Sequence, residues 1–527
     1  MSTIRSLIMI RLSKSICCVI LIVCSNWTTN VAAQQTSINL SDNQATVQPA
    51  PIAAAPDNIQ IEDKSSDEAQ KNPVDDAKAA EKAKKAAEAL DKKIGSAHKL
   101  MFFDNDFSYL CDPNYCQWYP GDSLKRLCLP GNGWFDIGGQ YRIRSHFEQN
   151  MRGTGLTGVD DQFLLHRTRL YGDFHFSPDI RVFAEMLDAE SNYEDFTPRG
   201  IEVNRADMQN LFVDARLWHD ANGTLSTRVG RQELVYGAQR VVSPLDWANT
   251  RRNFEGAKVS WATKKWTLDG FWTNPIRTNP NRFDSPDRDQ EFMGLYSTYK
   301  TAEKQTFDMY GLRYLNGRGA NQFAFNTLGM RSQGDIDGQL WDLEGAYQYG
   351  ENNDSSDHSA AMITAGLGRK WSNPAWQPTL WAYYDWASGG NALGANKGFH
   401  HQFPLGHKYN GFMDLFGRNN IRDVNLMLTF QPQKKVNATI WYHYFALAQL
   451  TDTPYSVVMA PFNAANAPGS RDLGQELDFL FDINVTKRQA VTLGYSHFFA
   501  GDYYRTTTGV PYSDDADFYY AQWTVNF

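Results

Sequence analysis

Outside its N-terminus this chain has no apolar run of the roughly 20 residues that a membrane-crossing helix needs, and its mean hydropathy of −0.51 agrees. Helical membrane proteins are thereby excluded. Cysteine is scarce, six in 527 residues, and Cys17, Cys18 and Cys24 fall in a stretch that reads as an export leader. A disulfide scaffold is excluded, since the other three, Cys111, Cys116 and Cys128, allow one bridge and strand one thiol without saying which pair forms. The 11 histidines are scattered without metal-ligand spacing, and His400 and His401 read as loop surface. Neither metal nor cofactor is expected. No repeat of about 40 to 50 residues is visible, which argues against a propeller. The formal charge of −8 excludes no partner by itself, and no nucleic-acid partner is expected.

What the chain does have is alternation. From about residue 135 to Phe527, apolar and polar residues interchange with period two. In the last segment Tyr519, Ala521, Trp523, Val525 and Phe527 oppose Tyr520, Gln522, Thr524 and Asn526. Upstream, Leu477, Phe479, Phe481, Ile483 and Val485 oppose Glu476, Asp478, Leu480, Asp482 and Asn484. A helix, with period 3.6, would mix those sets. The pattern predicts eighteen strands, at 135–149, 163–176, 180–190, 207–219, 224–232, 254–262, 265–273, 290–300, 305–315, 323–332, 338–350, 360–370, 377–387, 422–431, 435–448, 474–485, 489–500 and 516–527. Connectors after even strands are short and those after odd strands usually longer, culminating in 388–421 and 449–473. This two-sided rhythm, with 13% aromatic residues for interfacial girdles, predicts an all-β antiparallel barrel spanning an outer membrane, both ends in the periplasm and long loops outside. An aromatic-rich soluble sandwich is the competing reading.

The first 33 residues are a secretory leader: Arg5, Arg11 and Lys14 precede the apolar Ile16 to Val23, and Val31-Ala32-Ala33 is a small-residue cleavage site. A lipoprotein site at Cys24 is opposed by the bulky Val23. Residues 34–99 read as a disordered periplasmic linker carrying one Ala/Lys/Glu helix at 75–93. That helix is either a solvated spacer or an anchor to a cell-wall, secretion or oligomeric partner. Residues 100–134, with three cysteines and Pro113, Pro120 and Pro130, read as a cap or plug.

Register turns charge inward. An Arg facing lipid near the midplane costs about 2–4 kcal/mol, and the first strand sets Asp136, Gln140, Arg142, Arg144, His146 and Glu148 opposite an apolar face. Arg167 and Arg169 follow in the second strand, Arg216 in the fourth and Lys258 in the sixth. Such a ladder would attract anions. Alternatively it neutralises Asp173, Glu185, Asp214 and the acids of strand sixteen. Arg231 has the wrong parity unless Gly230 makes a bulge. Arg313 also misfits, so strand nine is expected to be poorly registered.

Residues 230–237, GRQELVYG, followed by Gln239-Arg240 and by 243–256, SPLDWANTRRNFEG, resemble the signature of the alginate export family of outer-membrane proteins. The resemblance implies an eighteen-stranded barrel with an arginine-lined electropositive constriction, through which an anionic uronic-acid polymer passes by selective diffusion. It also implies Arg231, Arg240, Arg251 and Arg252 as basic lining or loop scaffold, and Phe527 as a barrel sorting signal. Two features depart from the family: a very short last turn, Thr486 to Arg488, and the long N-terminal extension, which is expected to take over plugging. The expected function is thus an outer-membrane channel for an anionic polysaccharide or other anionic solutes, embedded in outer-membrane lipid and without a catalytic step. The rivals are a lipase- or acyltransferase-type barrel using Ser145 and His166 on the lipid face, and an adhesive or structural barrel.

Overall fold

The computed structural model describes residues 73–527 apart from 131–132, 318–321, 373–374 and 511. The leader, the lipoprotein question and residues 34–72 of the linker therefore lie outside the described residues. Helix α1, Pro73–Gly95, is the first element among the described residues. The barrel strands are β1 Trp134–Gln149, β2 Asp161–His175, β3 Ile180–Asn192, β4 Asn204–Asp220, β5 Gly223–Gln232 and β6 Phe254–Ala262. Then come β7 Trp266–Arg277, β8 Gln290–Ala302, β9 Gln305–Asn316, β10 Phe323–Ile336, β11 Gln339–Glu351 and β12 Asp357–Lys370. The circuit ends with β13 Thr379–Ala387, β14 Ile421–Gln433, β15 Val436–Leu447, β16 Asp472–Asn484, β17 Gln489–Ala500 and β18 Ala516–Asn526. Each pairs antiparallel with its neighbours in sequence. The sheet closes where β1 meets β18, from Gln140 opposite Asn526 to Gln149 opposite Asp517.

Every predicted strand overlaps an observed one. The reason is that one face of each strand must be apolar and the other need not be, so the period is written into the composition. Leu170, Leu211, Val229, Leu295, Leu328, Ile363, Leu367 and Leu426 stand exposed on the outer face, the surface a barrel offers to lipid. Strand β9 is in regular register with β10 throughout, from Gln305 opposite Gly334 to Asn316 opposite Phe323, and against β8 it shifts only at the turn, between Lys300 and Ala302. Arg313 is simply an outward-facing residue at the end of β9 near the long-loop rim, its Nη1 donating to Asn326 Oδ1 at 3.4 Å. The expectation of poor registry is corrected: depth, not register, makes that arginine tolerable. Gly230 has a positive φ of 128°, but β5 pairs with β4 and β6 without a register shift there, so the bulge does not form and Arg231, opposite the exposed Leu211, keeps the outward parity rather than lining the lumen.

The long loops do not project outward as expected. Loop 233–253 and loop 388–420 turn into the lumen and meet at a parallel bridge between Val242 and Phe403. Phe399, Phe403, Met413, Phe416, Val241 and Val242 pack with wall residues Phe254, Phe292 and Phe445 in one hydrophobic cluster inside the barrel. Those apolar loop residues cannot be left in water, and a wide barrel leaves a lumen to fill. His401 is accordingly buried, and His400 packs its ring near Tyr314, Phe323 and Phe325. Both histidines had been expected at the loop surface.

The segment between α1 and β1 lies at the short-turn rim. Phe102 and Phe103 enter the lumen against Tyr171, Phe183 and Phe212. Below them Arg488, in the last short turn, is buried and reaches Ile94 O, Tyr109 Oη and, at 3.5 Å, Asp122 Oδ1. Lys125 Nζ donates to Ile137 O and, at 3.2 Å, to Phe527 O, so it clamps the closing seam between β1 and β18. Cys111, Cys116 and Cys128 carry free, exposed thiols. The single bridge their number allowed is not formed.

Candidate functional site: an arginine cage inside the barrel

Because Arg142 and Arg144 share a face of β1, and Arg167 lies opposite Arg142 on β2, three guanidinium groups meet in one patch of the inner wall. Loop 233–253 descends onto that patch. Arg142 donates to the carbonyls of Asp246 at 2.8 Å and Ala248 at 2.6 Å. Arg144 donates to Trp247 O at 2.8 Å, and its guanidinium lies 3.8 Å from the centre of the Trp247 ring. Arg167 holds the Asp246 carboxylate at 2.9 Å and the carbonyls of Asp246 and Ala248 at 3.1 and 3.2 Å. Arg251, from the loop itself, bonds the same Asp246 Oδ1 and also Glu233 Oε1. Two guanidinium groups, those of Arg167 and Arg251, thus meet two carboxylates, while those of Arg142 and Arg144 grip the carbonyls of the strap.

Asp246 is the focus. Burial alone would raise its carboxyl, but Arg167, Arg251, Arg142 and Arg169 together hold it well below the ordinary carboxylate value. Its side chain nevertheless keeps 37% exposure, so the caged carboxylate still borders water. Trp247 stacks on His407 with ring centres 3.5 Å apart, tying the strap 246–248 to the second inward loop. The Nε atoms of Arg142, Arg144 and Arg167 are buried without a protein acceptor among the described residues.

The other predicted residues are placed differently. Arg169 pairs with Glu185 at 2.6 Å and covers the Phe102 ring. Arg240 is buried between Asp342 at 2.7 Å and Glu344 at 2.8 Å, with Tyr409 beneath it. Arg252 donates to Ser243 O and Pro404 O, both at 3.2 Å, joining the two inward loops. Arg216 binds Asp179 at 2.6 Å in the adjoining short turn, and Lys258 lies 3.4 Å from Asp269. Arg231 is held by Asp207 at 3.3 Å and by the carbonyls of Met208 and Asp284. A free arginine ladder along the lumen is therefore not what forms. Arg169 and Arg240 are neutralised in pairs, whereas Arg142, Arg144 and Arg167 grip a loop backbone.

Sequence reasoning passed over several lumenal residues. Arg181 and Arg228 bind Asp173 and Asp214 beside the Phe103 ring; the period of β3 and β5 contained that signal. Lys408 lies in an inward loop, where no periodicity could mark it. Ser145 and His166 are not brought together. Ser145 pairs across the strands with Leu164, and His166 Nδ1 is hydrogen-bonded to Tyr141 Oη at 2.7 Å.

A model of the alginate export family matches residues 133–516. No curated protein matches the sequence. Among solved structures, OccAB1 of Acinetobacter baumannii is 11% identical, covering 75% of this chain and 96% of that one, with a TM-score of 0.50. OccK3 (OpdO) of Pseudomonas aeruginosa is 13% identical over 74% of this chain and 96% of its own, with a TM-score of 0.49. OccK2 (OpdF) of the same organism, solved with glucuronate, is 12% identical over 74% and 97%, with a TM-score of 0.48.

Proposed function

Because this chain belongs to the alginate export family and is an outer-membrane β-barrel channel, we propose that it conducts an anionic polysaccharide of the uronic-acid type, or its fragments, by passive selective diffusion. The observation that carries this reading is the caged carboxylate: Arg167 and Arg251 already hold the carboxylate of Asp246 inside the lumen, with Arg142 and Arg169 near enough to stabilise its charge. A uronate presents the same group. Exchanging Asp246 for a ligand carboxylate keeps the number of charge-assisted hydrogen bonds, so the exchange costs far less than leaving a buried guanidinium unpaired. In this reading strap 246–248 yields as a polymer advances, and successive carboxylates take its place. Phe102 and Phe103 obstruct the neighbouring part of the lumen, the role for which a longer last turn would otherwise serve. In this reading α1, whose Asp91 pairs with Lys487 at 2.7 Å, would meet a periplasmic or cell-wall partner.

Purified protein in planar bilayers tests the proposal. A reversal potential in a salt gradient should report anion preference, and oligouronates should block the current. Cation preference with no block would defeat it.

A further inference from the structure

The periplasmic half of the lumen contains a second chemical environment away from the cage. A cavity of about 570 Å³ runs from Lys304 and Asp335 at the short-turn rim up to Tyr409 and Phe412 of the inward loop. Its wall carries Trp381 and Tyr383, residues i and i+2 on the lumenal face of β13. Opposite them on β12 stand Gly368 and Gly366. A Cβ on Gly368 would come within 2.6 Å of the Trp381 ring and one on Gly366 within 2.1 Å of the Tyr383 ring. The glycines leave room for both rings to lie down on the sheet. The rings are stacked neighbours, 5.1 Å apart and inclined by 21°, and both residues remain partly exposed.

The same device occurs elsewhere with a different outcome. Tyr310 lies over Gly329 and Tyr520 over Gly494, but Tyr310 is capped by Tyr296 and Tyr520 by Trp247 and Phe518, and both are buried. Those two rings are packing. Trp381 and Tyr383 border the cavity instead, so their faces are available to a ligand. Beside them Lys408 is exposed, its ammonium 5.4 Å from the Tyr409 ring centre and joined by no ion pair among the described residues. The other charged groups of this wall are engaged: Arg331 with Asp342 at 2.9 Å, Asp385 with Arg418 at 2.5 Å.

We propose that Trp381 and Tyr383 form a stacking platform for successive sugar rings of a glycan entering or leaving at the periplasmic side, with Lys408 reading a carboxylate on one of them. Flat aromatic faces match the C–H faces of pyranose rings, and a lone flexible ammonium suits a charge whose position shifts as the chain slides. The assignment of the carboxylate to Lys408 rests on the anionic-glycan reading above; the stacking platform does not.

The test uses the full chain in planar bilayers, with an oligouronate and a neutral oligosaccharide of equal length added in turn to the periplasmic side. The double variant Trp381→Ala with Tyr383→Ala should weaken block by both sugars by about tenfold. Lys408→Gln should weaken block by the oligouronate alone, by about threefold. Gly368→Ala, which lifts the ring while retaining it, serves as a second variant should the double variant not fold, and should also weaken both blocks. Loss of anion preference in the wild type, with neutral block retained and sensitive to Trp381, would remove the anionic reading and leave the platform standing. Block of the wild type by neither sugar, or block unaltered in the Trp381 and Gly368 variants, would overturn the platform.

Discussion

The two sides of the lumen are built from the same alternating strands and end up unlike. On the β1–β5 side, arginines are buried beneath strap 246–248 and beside Phe102 and Phe103, and the cavity left beside Arg181, Arg216 and Arg228 is only about 220 Å³. On the β10–β15 side, the wall meets a cavity of about 570 Å³, and its aromatic rings keep a wet face. The lesson is that an inward arginine is not by itself a pore-lining arginine. A guanidinium carries five donors in a rigid fork, which suits it equally to carboxylates and to the carbonyls of a loop that must lie inside a barrel. Whichever acceptor arrives decides its role.

The contrast can be broken most severely at Arg251. Arg251→Ala leaves Glu233 buried without its cation and should cost about 3–5 kcal/mol, seen as a lower unfolding midpoint of the detergent-folded barrel and as proteolysis within 233–253. An unchanged midpoint would mean that the β1–β5 side is not held by this pair. Phe103→Ala removes an aromatic ring packed on Phe183 and Phe212, a loss of about 3 kcal/mol of packing. It should make the β1–β5 side resemble the open side, raising single-channel conductance.

Asp246→Asn sharpens the comparison without emptying the lumen. The strap loses charge-assisted bonds worth about 1.5–3 kcal/mol, and the freed guanidinium groups should bind oligouronate more tightly, read as longer blocked intervals. Equal or shorter intervals would argue that the cage is scaffold only. Acidification should loosen the cap. Burial raises the Asp122 carboxyl, but bonds from Tyr115, Tyr109 and the Tyr119 amide, with Arg488 nearby, bring it below its ordinary value of 3.8. Its contribution to seating the cap is therefore complete above about pH 4 and lost as pH falls through the depressed value. Corrected for the intrinsic pH dependence of amide exchange, protection across 105–124 should be high at pH 6 and fall below pH 4. The smallest effect is expected at Arg313, outside both regions, where Ala should change stability by less than about 0.5 kcal/mol.

Reading the strands required no tertiary information, because lipid outside and polar contents inside impose period two on each one, as in β16, where Leu477, Phe479 and Phe481 alternate with Glu476 and Asp478. The inward direction of Arg142, Arg144, Arg167 and Arg169 was legible for the same reason. What those arginines touch was not. Asp246, Trp247 and Ala248 lie about a hundred positions away in a loop, and nothing periodic announces that a loop will turn inward rather than out. Lys408 and the free faces of Trp381 and Tyr383 were hidden likewise, since a glycine on the next strand decides whether a ring lies flat.

By itself, then, the sequence determined a closed antiparallel barrel of eighteen strands and which side chains point into it, since each strand answers separately to the solvent on its two faces. The folded molecule alone decided how the interior is divided, because contacts between distant loops, the N-terminal segment and the wall compete for the same buried donors. Local pattern sets direction; only packing in three dimensions sets partners.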